Sequence, residues 1–208
     1  AIKLKPKLAE AHSNLGFIMQ EIGRLEEACS AFTQAVNLKP DFTDAYANLA
    51  FVIKNVRFTS SNIKFYPPLI YLLNNGNYIR PSDLAPSILS LLKHDPLIKG
   101  LLLEENFATN LEEANSIISR LDKLTLLHQI MRVCKLPDLQ FEKFFQSMRS
   151  LFITNLDNFE ANPEFIHFLS SLSLHCFTNE YIYIEKDEET KLVKNLETEI
   201  TQTISRSE

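Results

Sequence analysis

Residues 8–40 read LAEAHSNLGFIMQEIGRLEEACSAFTQAVNLKP, with small and apolar side chains at regular places: Leu15, Gly16, Met19, Gly23, Ala28, Phe32, Ala35 and Pro40. Apolar residues that recur every three or four positions mark one face of a helix. Two such runs, 8–21 and 24–38, flank Gly23, so the stretch predicts a helical hairpin. Gly16 and Ala28 predict a close approach of the two helices, because a larger side chain at either place would hold the backbones apart. Leu15, Met19 and Phe32 are expected to fill the space between them. Gly23 supplies the backbone freedom of the turn, and Pro40, which has no N–H to donate, ends the second helix. Full burial of Leu15 would make Leu15→Ala cost about 2–5 kcal/mol.

The pattern returns after 34 residues. That shift carries Leu15 to Leu49, Gly16 to Ala50, Met19 to Ile53 and His12 to Tyr46. The backward shift carries Pro40 to Pro6 and Ala35 to Ala1, so that AIKLKP copies AVNLKP. A helix–turn–helix unit of this period and residue pattern resembles a tetratricopeptide repeat. An ordinary amphipathic hairpin would not also repeat its proline and alanine. The resemblance covers residues 1–57 as a partial unit, one complete unit and a second partial unit. It implies a short helical solenoid whose first helices line a concave groove. Ala1 corresponds to a place late in the second helix of an earlier unit, so the chain is expected to begin inside a larger protein with more repeats upstream.

Asp41 or Thr43 is expected to cap a third helix over residues 41–55. The register then fails: Arg57 stands where Gly23 would recur and Asn62 where Ala28 would. The segment FTSSN, 58–62, reads as a loop. Residues 58–208 are expected to form a divergent α-helical domain covering the open end of the repeats, which makes the whole chain all-α. Tyr66-Pro67-Pro68 starts a helix to about Asn74, and Pro81-Ser82 another to about His94. Asp95-Pro96 predicts a short helix to about Glu104, and Asn110 with Glu112 and Glu113 one to about Arg120. Residues 123–134 carry Leu124, Leu127, Ile130, Met131 and Cys134 on one face. From Pro137-Asp138 onward, Phe141, Phe144, Phe145, Met148, Leu151 and Phe152 keep the helical period. Asn162-Pro163 opens a helix burying Phe165, Leu169, Leu172 and Cys176. Residues 181–184 read as extended or a single strand. Asp187-Glu188-Glu189 opens a last helix through Val193, Leu196, Ile200 and Ile204, expected to connect to a domain downstream.

Composition narrows the function. The 208 residues carry 21 basic and 26 acidic side chains, a net charge of −5, which argues against nucleic acid as a partner. No apolar run is long enough to span a bilayer. Cys29, Cys134 and Cys176 are far apart and odd in number, so buried free thiols in a reducing, cytoplasmic setting are expected. No Cys or His pairs stand at zinc-finger spacing. The four glycines form no phosphate-binding loop, so neither a P-loop nor a dinucleotide fingerprint is present, and no cofactor is expected.

Asn14 and Asn48 are one period apart. The repeat resemblance places them on the concave face, where a side-chain amide both donates to and accepts from an extended peptide backbone. This ladder resembles the one in the peptide-reading superhelix of protein O-linked N-acetylglucosamine transferases. Glu10, Phe17, Glu21, Asp44, Phe51 and Lys54 share the groove by the same helical spacing. The plainer alternative makes both asparagines solvated helix residues. Glu10 and Asp44 oppose the carboxylate clamp of some family members, and an acidic groove suits a basic or neutral peptide.

His167, His175 and Cys176 are close in sequence but do not share one helix face closely. Partly buried structural histidines are the plain reading of these residues and of His128 with Cys134. The acidic set Glu180, Glu185, Asp187, Glu188 and Glu189 reads as a solvated helix start. The stretch His175-Cys176-Phe177-Thr178-Asn179-Glu180-Tyr181 resembles the helical region that precedes the catalytic domain in tetratricopeptide-fused S-adenosylmethionine methyltransferases.

The function expected is a protein–protein interaction scaffold that binds a peptide or partner protein, with self-association as a weaker alternative. An alternative of the enzyme class is the non-catalytic accessory region of a larger transferase, a methyltransferase before a glycosyltransferase.

Overall fold

The computed structural model describes residues 8–103, 111–155, 158–159, 162–179 and 187–207. Among these residues every regular element is a helix, and the fold is all-α. The expected run at 181–184 and the helix start at Asn110 lie outside the described residues.

Helices α1 (Ala9–Glu21) and α2 (Leu25–Leu38) form the first hairpin. Gly23 joins them in the left-handed region, with φ of 78°. The Arg24 N–H donates to the Met19 carbonyl at 2.8 Å and the Gly23 N–H to the Gln20 carbonyl at 3.0 Å. These two bonds close the end of α1 in a Schellman motif, which needs a left-handed residue at Gly23. Gly16 faces Phe32: a Cβ built on Gly16 would lie 2.7 Å from the ring, and Phe32 is fully buried. Ala28 is fully buried as well. Leu15 is only half-buried, so the full cost expected for Leu15→Ala does not apply.

Helix α3 (Thr43–Ile53) packs on α2. Neither Asp41 nor Thr43 caps it. The Phe42 N–H donates to the Lys39 carbonyl, and this turn sets Phe42 at the cap position. The Phe42 carbonyl then receives the N–H groups of Ala45 and Tyr46 at 3.1 and 3.2 Å.

Helices α4 (Tyr66–Asn74) and α5 (Pro81–Leu92) lie against α3, and α4 also touches α2. Tyr71 stacks on Tyr46, with ring centroids 4.1 Å apart. The buried Ser87 hydroxyl donates to the Ile53 carbonyl at 2.6 Å, satisfying an acceptor that the end of α3 leaves open. Two proline starts, Pro67 in α4 and Pro81 in α5, fit the missing donor of a first helical turn.

The segment after Asp95 is a series of turns ending in one 3-10 turn at Leu101–Leu103, not the expected helix. The start signal acts, but Gly100, five residues on, disfavours continuation of the helix. The Asp95 carboxylate is buried, accepts from the Tyr66 hydroxyl, and takes the Leu97 N–H at 2.8 Å. The side chain ties this segment to Tyr66 and caps its first turn, where the Ile98 and Lys99 N–H groups donate to the Asp95 carbonyl.

Five further helices complete the described fold: α6 (Leu111–Leu121), α7 (Thr125–Val133), α8 (Leu139–Asn155), α9 (Pro163–Thr178) and α10 (Asp187–Ser207). Asn162 caps α9 as expected, accepting the Phe165 N–H at 2.8 Å. Asp138 does the same for α8 and pairs with Lys93 at 2.5 Å. Helix α7 packs on α4, α5 and α9, so it joins the early helices to the late ones. One apolar core runs from Ala28 to Cys176 through this junction. The three cysteines are free and buried. Among the described residues no helix is long and apolar enough to cross a membrane.

Candidate functional site

Two groups of side chains stand out: one on α1 and α3, the other where α6, α7 and α9 meet. On α1, Glu10, Asn14, Phe17 and Glu21 are spaced for one stripe, and all four are exposed. Phe17 is 46% exposed and rests its edge on Phe32 at 5.9 Å. On α3, Asp44 and Phe51 are exposed, and Asn48 and Lys54 are half-buried. The Lys54 ammonium lies 4.9 Å over the Phe51 ring. Glu10 pairs with Lys39 at 3.6 Å, with both side chains about half exposed. Such a pair contributes roughly 0–1 kcal/mol and leaves the glutamate available to another partner.

Beside α3 lies an open cleft of about 420 Å³, with Ala47, Phe51 and Lys54 on one side and Tyr78, Arg80 and Asp83 on the other. Phe51 and Lys54 therefore come together there, whereas Asn48 lies outside it. Tyr78, Arg80 and Asp83 were not readable as site residues. They come from the connection after α4 and the start of α5, where the 34-residue register no longer holds.

The second group joins Asp122, just after α6, with His128 on α7 and His167 on α9. The two imidazole rings stack at 4.2 Å and 18°, and His167 Nδ1 is 2.6 Å from Asp122 Oδ1. His128 is 3% exposed. Its Nε2 lies 3.2 Å from the Leu121 carbonyl and its Nδ1 2.9 Å from Ser171 Oγ. A carbonyl only accepts, so Nε2 carries the proton and Nδ1 accepts from the serine. Burial, helped by the adjacent His167, pushes the His128 pKa down to about 4, so the ring is neutral at pH 7. Arg132 Nε also donates to Ser171 Oγ, at 3.1 Å. Ser171 itself is fully buried, which removes the Ser171–His128 pair from reach of a substrate.

His167 and His175 are not brought together. His175 is buried against the Phe145 ring, 4.8 Å between centroids, and meets the Asn179 side-chain amide at 2.9 Å. His167 instead meets residues 39 and 45 positions earlier in the chain. No local spacing announces that meeting, because it depends on how α9 packs against α6 and α7.

No protein-family model, curated protein or solved structure matches this chain.

Proposed function

We propose that the chain is a protein-interaction module of tetratricopeptide type, which takes an extended peptide or partner segment along α1 and α3. One observation carries the reading: Phe17 and Phe51, one 34-residue period apart, are 46% and 58% exposed. A single surface phenylalanine is ordinary. Two at equivalent places, each with an asparagine three residues before it and an acid seven before it, repeat one surface pattern, and exposed aromatic rings are favoured at binding surfaces. The rings supply apolar contact area. Asn14 and Asn48 supply paired donors and acceptors for a peptide backbone. Glu10, Glu21 and Asp44 favour a basic or neutral ligand.

The test is a peptide selection on the immobilised protein from a random display library, followed by fluorescence-anisotropy titration of the winners. Asn14→Ala/Asn48→Ala is expected to weaken binding at least about tenfold, roughly the loss of one or two hydrogen bonds. Unchanged affinity would remove the groove from the account.

A further inference from the structure

We propose that Asp122, His128 and His167 bind one divalent transition metal ion of the zinc class, with the fourth position left to water. Their donor atoms all lie within 4.8 Å of one another. Tetrahedral zinc with bonds of about 2.0–2.1 Å sets its ligand atoms about 3.4 Å apart. The longest edge must therefore close by up to about 1.4 Å, the 2.6 Å edge between His167 Nδ1 and Asp122 Oδ1 must open, and the His167 ring must rotate out of its stack on His128 so that both lone pairs meet at the ion. His167 and Asp122 have the room for it, with side chains 41% and 28% exposed. Two imidazoles and one carboxylate select zinc-like ions over calcium or magnesium, which prefer oxygen donors.

The surroundings of His128 suit a ligand. When Nε2 turns from the Leu121 carbonyl to the metal, the ring proton moves to Nδ1 and donates to Ser171 Oγ. Ser171 then accepts from His128 and from Arg132, and donates to the His167 carbonyl 3.1 Å away. Every bonding position of the hydroxyl is filled. A ligating histidine is oriented by such a partner on its other nitrogen. The Arg132 guanidinium is the cation in this network, and the Asp122 carboxylate offsets its charge at the metal. The three ligands come from three separate places in the fold, so the ion would tie the α6 end, α7 and α9 together.

Chelator-dialysed protein titrated with Co²⁺ gives the readout, since tetrahedral Co²⁺ absorbs strongly in the visible range. The expected result is saturation at one equivalent, displacement of Co²⁺ by Zn²⁺, and a raised melting temperature. Asp122→Asn and His167→Gln alter partly exposed side chains, and each is expected to weaken Zn²⁺ at least about 100-fold, beyond the 10–100-fold of an outer-shell partner. His175→Gln is expected to leave the affinity unchanged. Absence of a saturable Co²⁺ band in the wild-type protein overturns the proposal, as does equal affinity in the Asp122 and His167 variants with unchanged circular dichroism. The wild-type titration decides by itself if a variant does not fold.

Discussion

Gly16 and Gly23 are glycines for different reasons, and substitution separates the two. Alanine at Gly16 puts a Cβ 2.7 Å from a buried aromatic ring. Overpacking of this kind costs about 1–3 kcal/mol, against the roughly 1 kcal/mol that alanine gains over glycine inside a helix. Gly16→Ala is therefore expected to lower stability by up to about 2 kcal/mol in urea unfolding. At Gly23 nothing lies within 4 Å, but φ is 78°, so Gly23→Ala should cost about 1–2 kcal/mol through backbone strain alone. Gly76 has neither constraint, and Gly76→Ala should change stability by less than about 0.5 kcal/mol. A stabilising Gly16→Ala would contradict the packing described. Both constrained positions are legible in the sequence, because the helical period of the two flanking runs shows where a small residue and a turn fall. The neighbour of Gly16 is not, since periodicity gives a face and not the ring that fills it.

His175 carries a pH effect whose sign follows from its burial. Burial lowers its pKa from the ordinary 6.5 to about 4. The unfolded chain takes up this proton below pH 6.5, and the folded chain only near pH 4. The stability it contributes is thus complete above pH 6.5 and is lost as the pH falls toward 4. One proton gives a slope of up to about 1.4 kcal/mol per pH unit. Urea midpoints of the wild-type protein should fall more steeply across that window than those of His175→Gln. Parallel curves would show that the ring is not held neutral in the fold.

At the scale of elements, a buried polar anchor ties α10 to α8. Glu189 is 3% exposed and accepts from Arg149 at 2.8 Å and from Ser150 at 2.5 Å. Breaking a buried pair from one side costs about 3–5 kcal/mol, because the other charge is left without its partner. The rest of α10 is largely exposed, including Ile200 and Ile204 at 57% and 55%. Glu189→Ala should therefore release α10 before it unfolds the remainder, which limited proteolysis would report as early cleavage within residues 187–207. Cleavage no faster than in the wild-type protein would mean that the apolar contacts of α10 suffice. In the sequence Glu189 reads as part of a solvated helix start, whereas in the fold it is buried. Three consecutive acids look alike in a sequence, and only the position of Arg149 on the facing helix distinguishes one of them. Helix starts are more legible: Pro67, Pro81 and Asn162-Pro163 each act within the first turn of their own helix. Asp95-Pro96 carries the same local signal and Asp95 does cap the next turn, yet Gly100 follows at once and turns replace the helix.

At the scale of the molecule, the all-α class and the first hairpin were readable from period alone. The junction through α7 was not, and the Asp122–His128–His167 cluster depends on it. Residues 6 and 39 positions apart along the chain are made neighbours by helix packing, which leaves no trace in a one-chain pattern. The α1 residues Glu10, Asn14, Phe17 and Glu21 are the reverse case, spaced by the helical period and exposed in the fold.

The direct test of the proposed groove is a ¹H–¹⁵N spectrum of the labelled protein during titration with a selected peptide. The account predicts saturable shifts in the side-chain amides of both Asn14 and Asn48 and in the backbone of α1 and α3. Shifts confined to residues 111–207, with both asparagine amides unmoved at saturation, would contradict it.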